Sequence, residues 1–248
     1  MQLLRRRLRR TRRATLRRFL EGRYGDRSLV LKGEQAPLYL LIVLGSGGHT
    51  KEMLIMLEQE ARPHPHSHRR YLVSSGDHMS LTHLAGFEAN LRDLAIGGVA
   101  TGTYDVHVIP RARRIHQSLL TTPFSAAWSV ARIFPILLRG PATPSFGSRS
   151  LPDVVVTNGP ATGFFVCLAA FVLRMLNIGE DKMQIVFIES WARIKSLSLT
   201  GRLLYETGIA DLFLVQHEAV AKKYGVLNAG WLVLGGKQGR QRRAEDTG

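Results

Sequence analysis

The residues best suited to chemistry in this chain fall in three short turns. The first is Gly45-Ser46-Gly47-Gly48-His49-Thr50, entered from the apolar run LYLLIVL and left through KEMLIMLEQE, a strand-turn-helix pattern. Glycines let a backbone take positive φ and approach a ligand closely, and the N–H groups and positive dipole end of a helix favour an anion. The corner therefore suits phosphate. His49 stands at its mouth, where an imidazole could take a proton from an attacking hydroxyl or donate one to a phosphate oxygen. A tight turn capped by His49 and Thr50 would give the same pattern with no ligand.

The second turn closes DVVVTNGPAT, Asp153 to Thr162, in which an apolar strand ends in Asn158-Gly159-Pro160 and a helix opens at Thr162. It reads as a second anion-facing corner or as a plain strand-to-helix turn. In the third, QIVFIESWARIKSLSL, a strand delivers Glu189 and Ser190 to its carboxyl end, followed by Arg193 and Lys195. The carboxylate could orient a sugar hydroxyl or the His49 imidazole, and the cations could face a pyrophosphate. A solvated surface patch is the alternative.

Elements must bring these turns together. Strands are predicted at Leu38 to Leu44, Arg70 to Ser74, Val106 to Ile109, Asp153 to Thr157, Gln184 to Glu189, Leu212 to Val215 and Trp231 to Leu234. Helices are predicted at Thr50 to Gln59, Ser80 to Arg92, Ser125 to Leu138, Thr162 to Leu176, Ser198 to Tyr205 and Glu218 to Tyr224. The alternation implies an α/β fold with a Rossmann-like, doubly wound, mostly parallel sheet, whose ligands collect at the carboxyl ends of the strands. One such domain is expected over residues 35–236, between a basic extension, 1–34, and a polar tail, 237–248.

The net charge of +15 is largely local. Residues 1–27 hold eleven arginines against two acids, Glu21 and Asp26. Leu4, Leu8, Leu16, Phe19 and Leu20 share one side of a helical wheel that Arg5, Arg9 and Arg12 interrupt, an imperfect amphipathic helix suited to an anionic membrane surface. A solvated tail, a nucleic-acid arm and a transit peptide would share that composition. The single cysteine, Cys167, sits in an apolar run and reads as a core residue of a chain in a reducing compartment. No run reaches the roughly 20 apolar residues that a bilayer span needs. Pro63 to His68 alternates histidines without neighbouring cysteine or carboxylate ligands, so no metal is expected, and Arg139 to Pro152 reads as an exposed linker.

The runs VLGSGGHTKEML, VIPRARRIHQS, TNGPATG and IESWARIKSLSLTGRLLY, in this order, resemble the asparagine-linked-glycosylation fourteen family. That resemblance implies the amino-terminal half of a GT-B glycosyltransferase. It implies the membrane-anchoring, acceptor-side subunit of a two-chain UDP-N-acetylglucosamine transferase on the cytosolic face of the endoplasmic reticulum, with the nuclear envelope as a further location. The complex would add the second N-acetylglucosamine to dolichyl-pyrophosphoryl-N-acetylglucosamine, and a separate chain would carry most of the nucleotide-sugar site, with no cofactor. By the same resemblance Gly45, Gly47, Gly48 and His49 face the acceptor pyrophosphate and the reacting hydroxyl. Asn158, Gly159 and Pro160 form the second turn, and Glu189, Ser190, Arg193 and Lys195 the strand-end segment. Family members usually carry an amino-terminal transmembrane helix, and Gln216-His217-Glu218 stands where Gln-Trp-Pro is usual.

Two readings of other classes remain at this level. A dinucleotide-dependent oxidoreductase is opposed by GSGGHT, which departs from G-x-G-x-x-G, and by a second strand ending in Ser74-Ser75 without the acidic ribose ligand. A nucleic-acid-binding module is opposed by basic charge held in a terminal arm without interleaved stacking aromatics.

Overall fold

The computed structural model describes residues 37–60, 66–96, 101–111, 122–143, 146, 151–179 and 182–230. In chain order the elements are β1 (Leu38–Val43), α1 (Gly48–Glu60), β2 (Ser67–Ser74), α2 (His78–Ile96), β3 (Thr103–Ile109), α3 (Thr122–Leu138) and β4 (Val154–Thr157). They continue with α4 (Ala161–Met175), β5 (Gln184–Ile188), α5 (Leu199–Thr207), β6 (Leu212–Val215), α6 (Glu218–Tyr224) and β7 (Leu227–Asn228). All seven strands pair in parallel, in the order β3-β2-β1-β4-β5-β6-β7. This is the expected Rossmann-like doubly wound sheet. Its order reverses between β1 and β4, where Val43 sits level with Leu72 on one side and Thr157 on the other.

Parallel strands buried on both faces must be apolar on both, and β1 shows the consequence. Leu41 and Val43 enter a core with Ile133 and Leu137 of α3 and Val166, Ala170 and Leu173 of α4. Ile42 and Leu44 enter a second core with Met53 and Met56 of α1 and Leu84 and Phe87 of α2. Each of the four is fully buried, worth roughly 1.5–3 kcal/mol apiece as an upper estimate. Cys167 lies in the first core, fully buried as expected, and burial pushes its thiol well above the ordinary range.

The sequence-based strand starts at Arg70 and Val106 are too late. Arg69 and Arg70 look unfit for a central strand, but both are buried and paired. Arg69 bonds both carboxylate oxygens of Glu88 at 2.8 Å, and Arg70 bonds Asp105 through Nε at 2.9 Å and Nη2 at 2.6 Å. Arg70 also donates to the Ile136 carbonyl at 3.0 Å and to that of Arg139, tying the end of α3 to the sheet. The linker reading needs a similar correction, since Phe146 is buried with its ring 5.8 Å from that of His68 and 6.4 Å from that of Tyr39. The glycines and prolines around it obscured a single aromatic anchor. The predicted strand from Trp231, the basic extension and the polar tail lie outside the described residues. Among the described residues no helix is long and apolar enough to cross a membrane.

Candidate active site at the sheet switch point

Where the strand order of an open parallel sheet reverses, the loops leaving adjacent strands diverge and open a crevice. Here those loops are Gly45 to Gly47, leaving β1, and Asn158 to Pro160, leaving β4. They touch through glycines. A Cβ on Gly45 would meet the His49 Cβ at 2.7 Å and the Gly159 Cα at 3.1 Å, so any larger residue would force the loops apart. Gly47 supplies the left-handed turn, with φ +59°, that starts α1 into the crevice. Asn158, itself buried, donates from Nδ2 to the His49 carbonyl at 2.9 Å. Its Oδ1 is buried with no hydrogen-bond partner, an acceptor left over at the switch point.

Thr50 is fully buried and holds the loop from within. Its hydroxyl bonds the Gly45 carbonyl and lies 2.6 Å from Ser80 Oγ, which donates to Asp77 Oδ2 at 2.6 Å. Ser46, Gly48 and Pro160 form the exposed rim. The His49 side chain is one-third exposed, yet its Nδ1 is buried, so the ring opens to solvent along its Nε2 edge. Nδ1 faces Glu52 Oε2 at 3.8 Å, too long for a direct hydrogen bond but within reach of charge attraction when the ring is protonated.

Glu52 was not singled out in the sequence. It is buried, and three donors from distant segments fix it: Ser190 Oγ at 3.0 Å, the Trp191 N–H at 2.6 Å and Gln216 Nε2 at 2.6 Å. Gln216 also donates to the Glu189 carbonyl at 2.9 Å. The carboxylate facing His49 is therefore supplied by α1, while Ser190, Trp191 and Gln216 hold it in place. The available signal was the His49–Glu52 spacing of three, which puts both on one helix face.

Glu189 lies at the end of β5 as expected, but its side chain turns toward α5. Its Oε2 accepts from the Ser198 N–H at 2.9 Å and the Ser198 hydroxyl at 3.1 Å, and Ser198 caps α5 by accepting from the Gly201 N–H at 2.9 Å. Burial raises its carboxyl above the usual range, more than the Ser198 and Ser190 hydrogen bonds and the Arg193 charge lower it. Arg193 and Lys195 are exposed on the loop between β5 and α5. Beside them the Trp191 and His217 rings meet at a 40° tilt with centroids 4.4 Å apart, and His217 Nε2 lies 2.6 Å from the Trp191 carbonyl oxygen. The described residues contain no cluster of metal-ligating side chains.

The first two turns thus converge, and the third supports them through Glu52. Such a wall can take an anion at the start of α1 and present one imidazole to a hydroxyl. The family described as "oligosaccharide biosynthesis protein Alg14 like" matches residues 40–232, a span that contains all three turns. The chain is 39% identical over 186 residues to the UDP-N-acetylglucosamine transferase subunit alg14 of Schizosaccharomyces pombe, covering 75% of this chain and 79% of that protein. It is 35% identical over 187 residues to the human protein of the same name, with the same two coverages. Among solved structures, Acinetobacter baumannii MurG aligns with a TM-score of 0.42 at 14% identity, over 74% of this chain and 43% of that one.

Proposed function

Because this chain belongs to the Alg14-like family of oligosaccharide biosynthesis proteins, we propose that it is a subunit of a UDP-N-acetylglucosamine transferase and forms the acceptor wall of its site. The observation that carries the reading is the family match across residues 40–232, together with relatives whose names describe a transferase subunit. A second chain supplies the nucleotide-sugar half. The acceptor is a polyprenyl-pyrophosphoryl N-acetylglucosamine, dolichyl-linked and held on the cytosolic face of the endoplasmic reticulum. One α/β unit offers one side of a crevice, whereas transfer between two substrates needs both held in a water-poor, two-sided site. The chain alone is accordingly inactive.

In the assembled site the acceptor pyrophosphate lies against the Gly45 to Thr50 turn, at the dipole end of α1. The acceptor hydroxyl attacks the anomeric carbon of UDP-N-acetylglucosamine. A carbon–oxygen bond forms there as the bond to the β-phosphate oxygen breaks, and UDP leaves with the bonding pair. The hydroxyl proton passes to His49 Nε2, and Glu52 stabilises the imidazolium from the Nδ1 side. His49→Ala in the reconstituted complex should lower the transfer rate about 10²- to 10⁴-fold while the partner still binds. Parallel losses of partner binding and rate would assign His49 a structural role instead.

A further inference from the structure

Glu52 owes its place to donors outside α1, and one of them, the Trp191 N–H, belongs to a loop that is exposed from Ala192 to Ser196. Within the loop the Ala192 N–H reaches Ser190 Oγ at 3.3 Å and the Arg193 N–H reaches the Ser190 carbonyl at 2.9 Å, bonds that shape the turn. His217 ties it to the tip of β6. Its Nε2 lies 2.6 Å from the Trp191 carbonyl oxygen, and since a carbonyl can only accept, Nε2 carries the proton and donates. The two rings also meet, at a 40° tilt with centroids 4.4 Å apart. Trp191 is thus held by its N–H on Glu52, at 2.6 Å, and by its carbonyl and ring on His217.

The residue at 217 is an unusual choice for its position. His217 is the N-cap of α6, where Ser, Thr, Asp or Asn would ordinarily accept from the first free N–H groups. Its side chain makes no such bond, and the ring is spent on Trp191 instead. Gln216, just before it, donates to Glu52 Oε1 at 2.6 Å. Two consecutive residues past β6 therefore converge on one carboxylate, Gln216 directly and His217 through Trp191. Glu52 Oε2 lies 3.8 Å from His49 Nδ1. Resting on the assignment of His49 as the base, we propose that His217 is a positioning residue for transfer. By holding Trp191 it keeps the Trp191 N–H on Glu52, and so keeps that carboxylate facing His49.

The test uses the full chain reconstituted with its nucleotide-sugar-binding partner, UDP-N-acetylglucosamine and a polyprenyl-pyrophosphoryl-N-acetylglucosamine acceptor. His217→Phe keeps a ring against Trp191 but removes the donor. It should lower kcat about tenfold, with KM for both substrates and partner binding little changed. His217→Trp restores an N–H donor on a ring and should recover most of that loss. Because both residues act through one carboxylate, His217→Phe should cost about twofold or less when added to Glu52→Gln, whereas a purely structural role would give additive losses. Thermal melts check the fold, and if His217→Phe does not fold, His217→Ala carries the same expectations. An unchanged kcat in His217→Phe, no recovery in His217→Trp, or a full further loss on top of Glu52→Gln would each overturn the proposal. A Glu52→Gln loss with His217→Phe at the wild-type rate overturns it alone. If Glu52→Gln leaves kcat unchanged, the role of Glu52 beside His49 falls, and this proposal falls with it.

Discussion

His49 and Glu52 sit one helical turn apart on α1, and of the two side chains Glu52 is the one held by hydrogen bonds from distant segments. Replacing Glu52 with Gln keeps the volume but removes the charge facing Nδ1, so transfer by the assembled complex should fall roughly a hundredfold with partner binding retained. Glu189→Gln should cost much less activity, because Glu189 holds Ser198 and the start of α5 rather than the imidazole. Initial rates of the two variants, measured side by side with the same partner, check the assignment. A larger loss for Glu189→Gln would return the orienting role to that residue. His49 could be singled out in the sequence because it closes a glycine-rich turn at a helix start, although a plain capped turn would give the same pattern. Glu52 was not, since within KEMLIMLEQE it resembles one more solvated helix acid, and its donors lie 138 to 164 residues further along the chain.

At the scale of elements, the joint between β5 and α5 has no spare volume. A Cβ on Gly201 would fall 2.0 Å from Glu189 Oε2, although alanine is the better helix former by about 1 kcal/mol. Gly201→Ala should therefore destabilise the fold by about 1–3 kcal/mol, the cost of displacing a buried, hydrogen-bonded carboxylate, as read from denaturant midpoints. A neutral or stabilising result would mean that Glu189 moves freely. On β3, burial pushes the Asp105 carboxyl up, but His68, with Nε2 3.4 Å away, and the hydrogen bonds and charge of Arg70 outweigh it, leaving it well below the usual carboxylate range. Its folded-state value being depressed, its contribution to stability is complete above the unfolded aspartate range near 3.9 and is lost as pH falls through the folded value. Asp105→Asn should flatten the acid limb of the stability–pH curve between about pH 4 and 2 and lower stability at neutrality. Retention of the full acid limb would place the acid-sensitive group elsewhere. Sequence patterning located the strands with continuous apolar runs, such as β1 and β4, to within a residue or two. It began β2 and β3 late because their opening stretches, Ser67-His68-Arg69 and Thr103-Tyr104-Asp105, include polar and charged side chains that pair only in three dimensions, Arg69 with Glu88 and Asp105 with Arg70.

At the scale of the whole molecule, the proposal of a half-site completed by another chain rests on the family match and on relatives named as transferase subunits, and the two converging turns are the wall it assigns to this chain. Its excess charge resides in two segments, the basic extension and the acid-free stretch that includes α3, while the remaining residues are balanced. The architecture was readable from strand-helix alternation alone. Site completeness was not, because a Rossmann-like half looks the same whether its other wall is a second domain or a second protein. The most direct test of the central claim is the initial rate of N-acetylglucosamine transfer from UDP-N-acetylglucosamine to a polyprenyl-pyrophosphoryl-N-acetylglucosamine acceptor, at fixed concentration of this chain and rising concentration of a nucleotide-sugar-binding partner subunit. The account predicts no measurable rate without the partner and a rise that saturates at one partner per chain. Robust turnover by the homogeneous chain alone, or a rate set by the partner regardless of this chain, would contradict it.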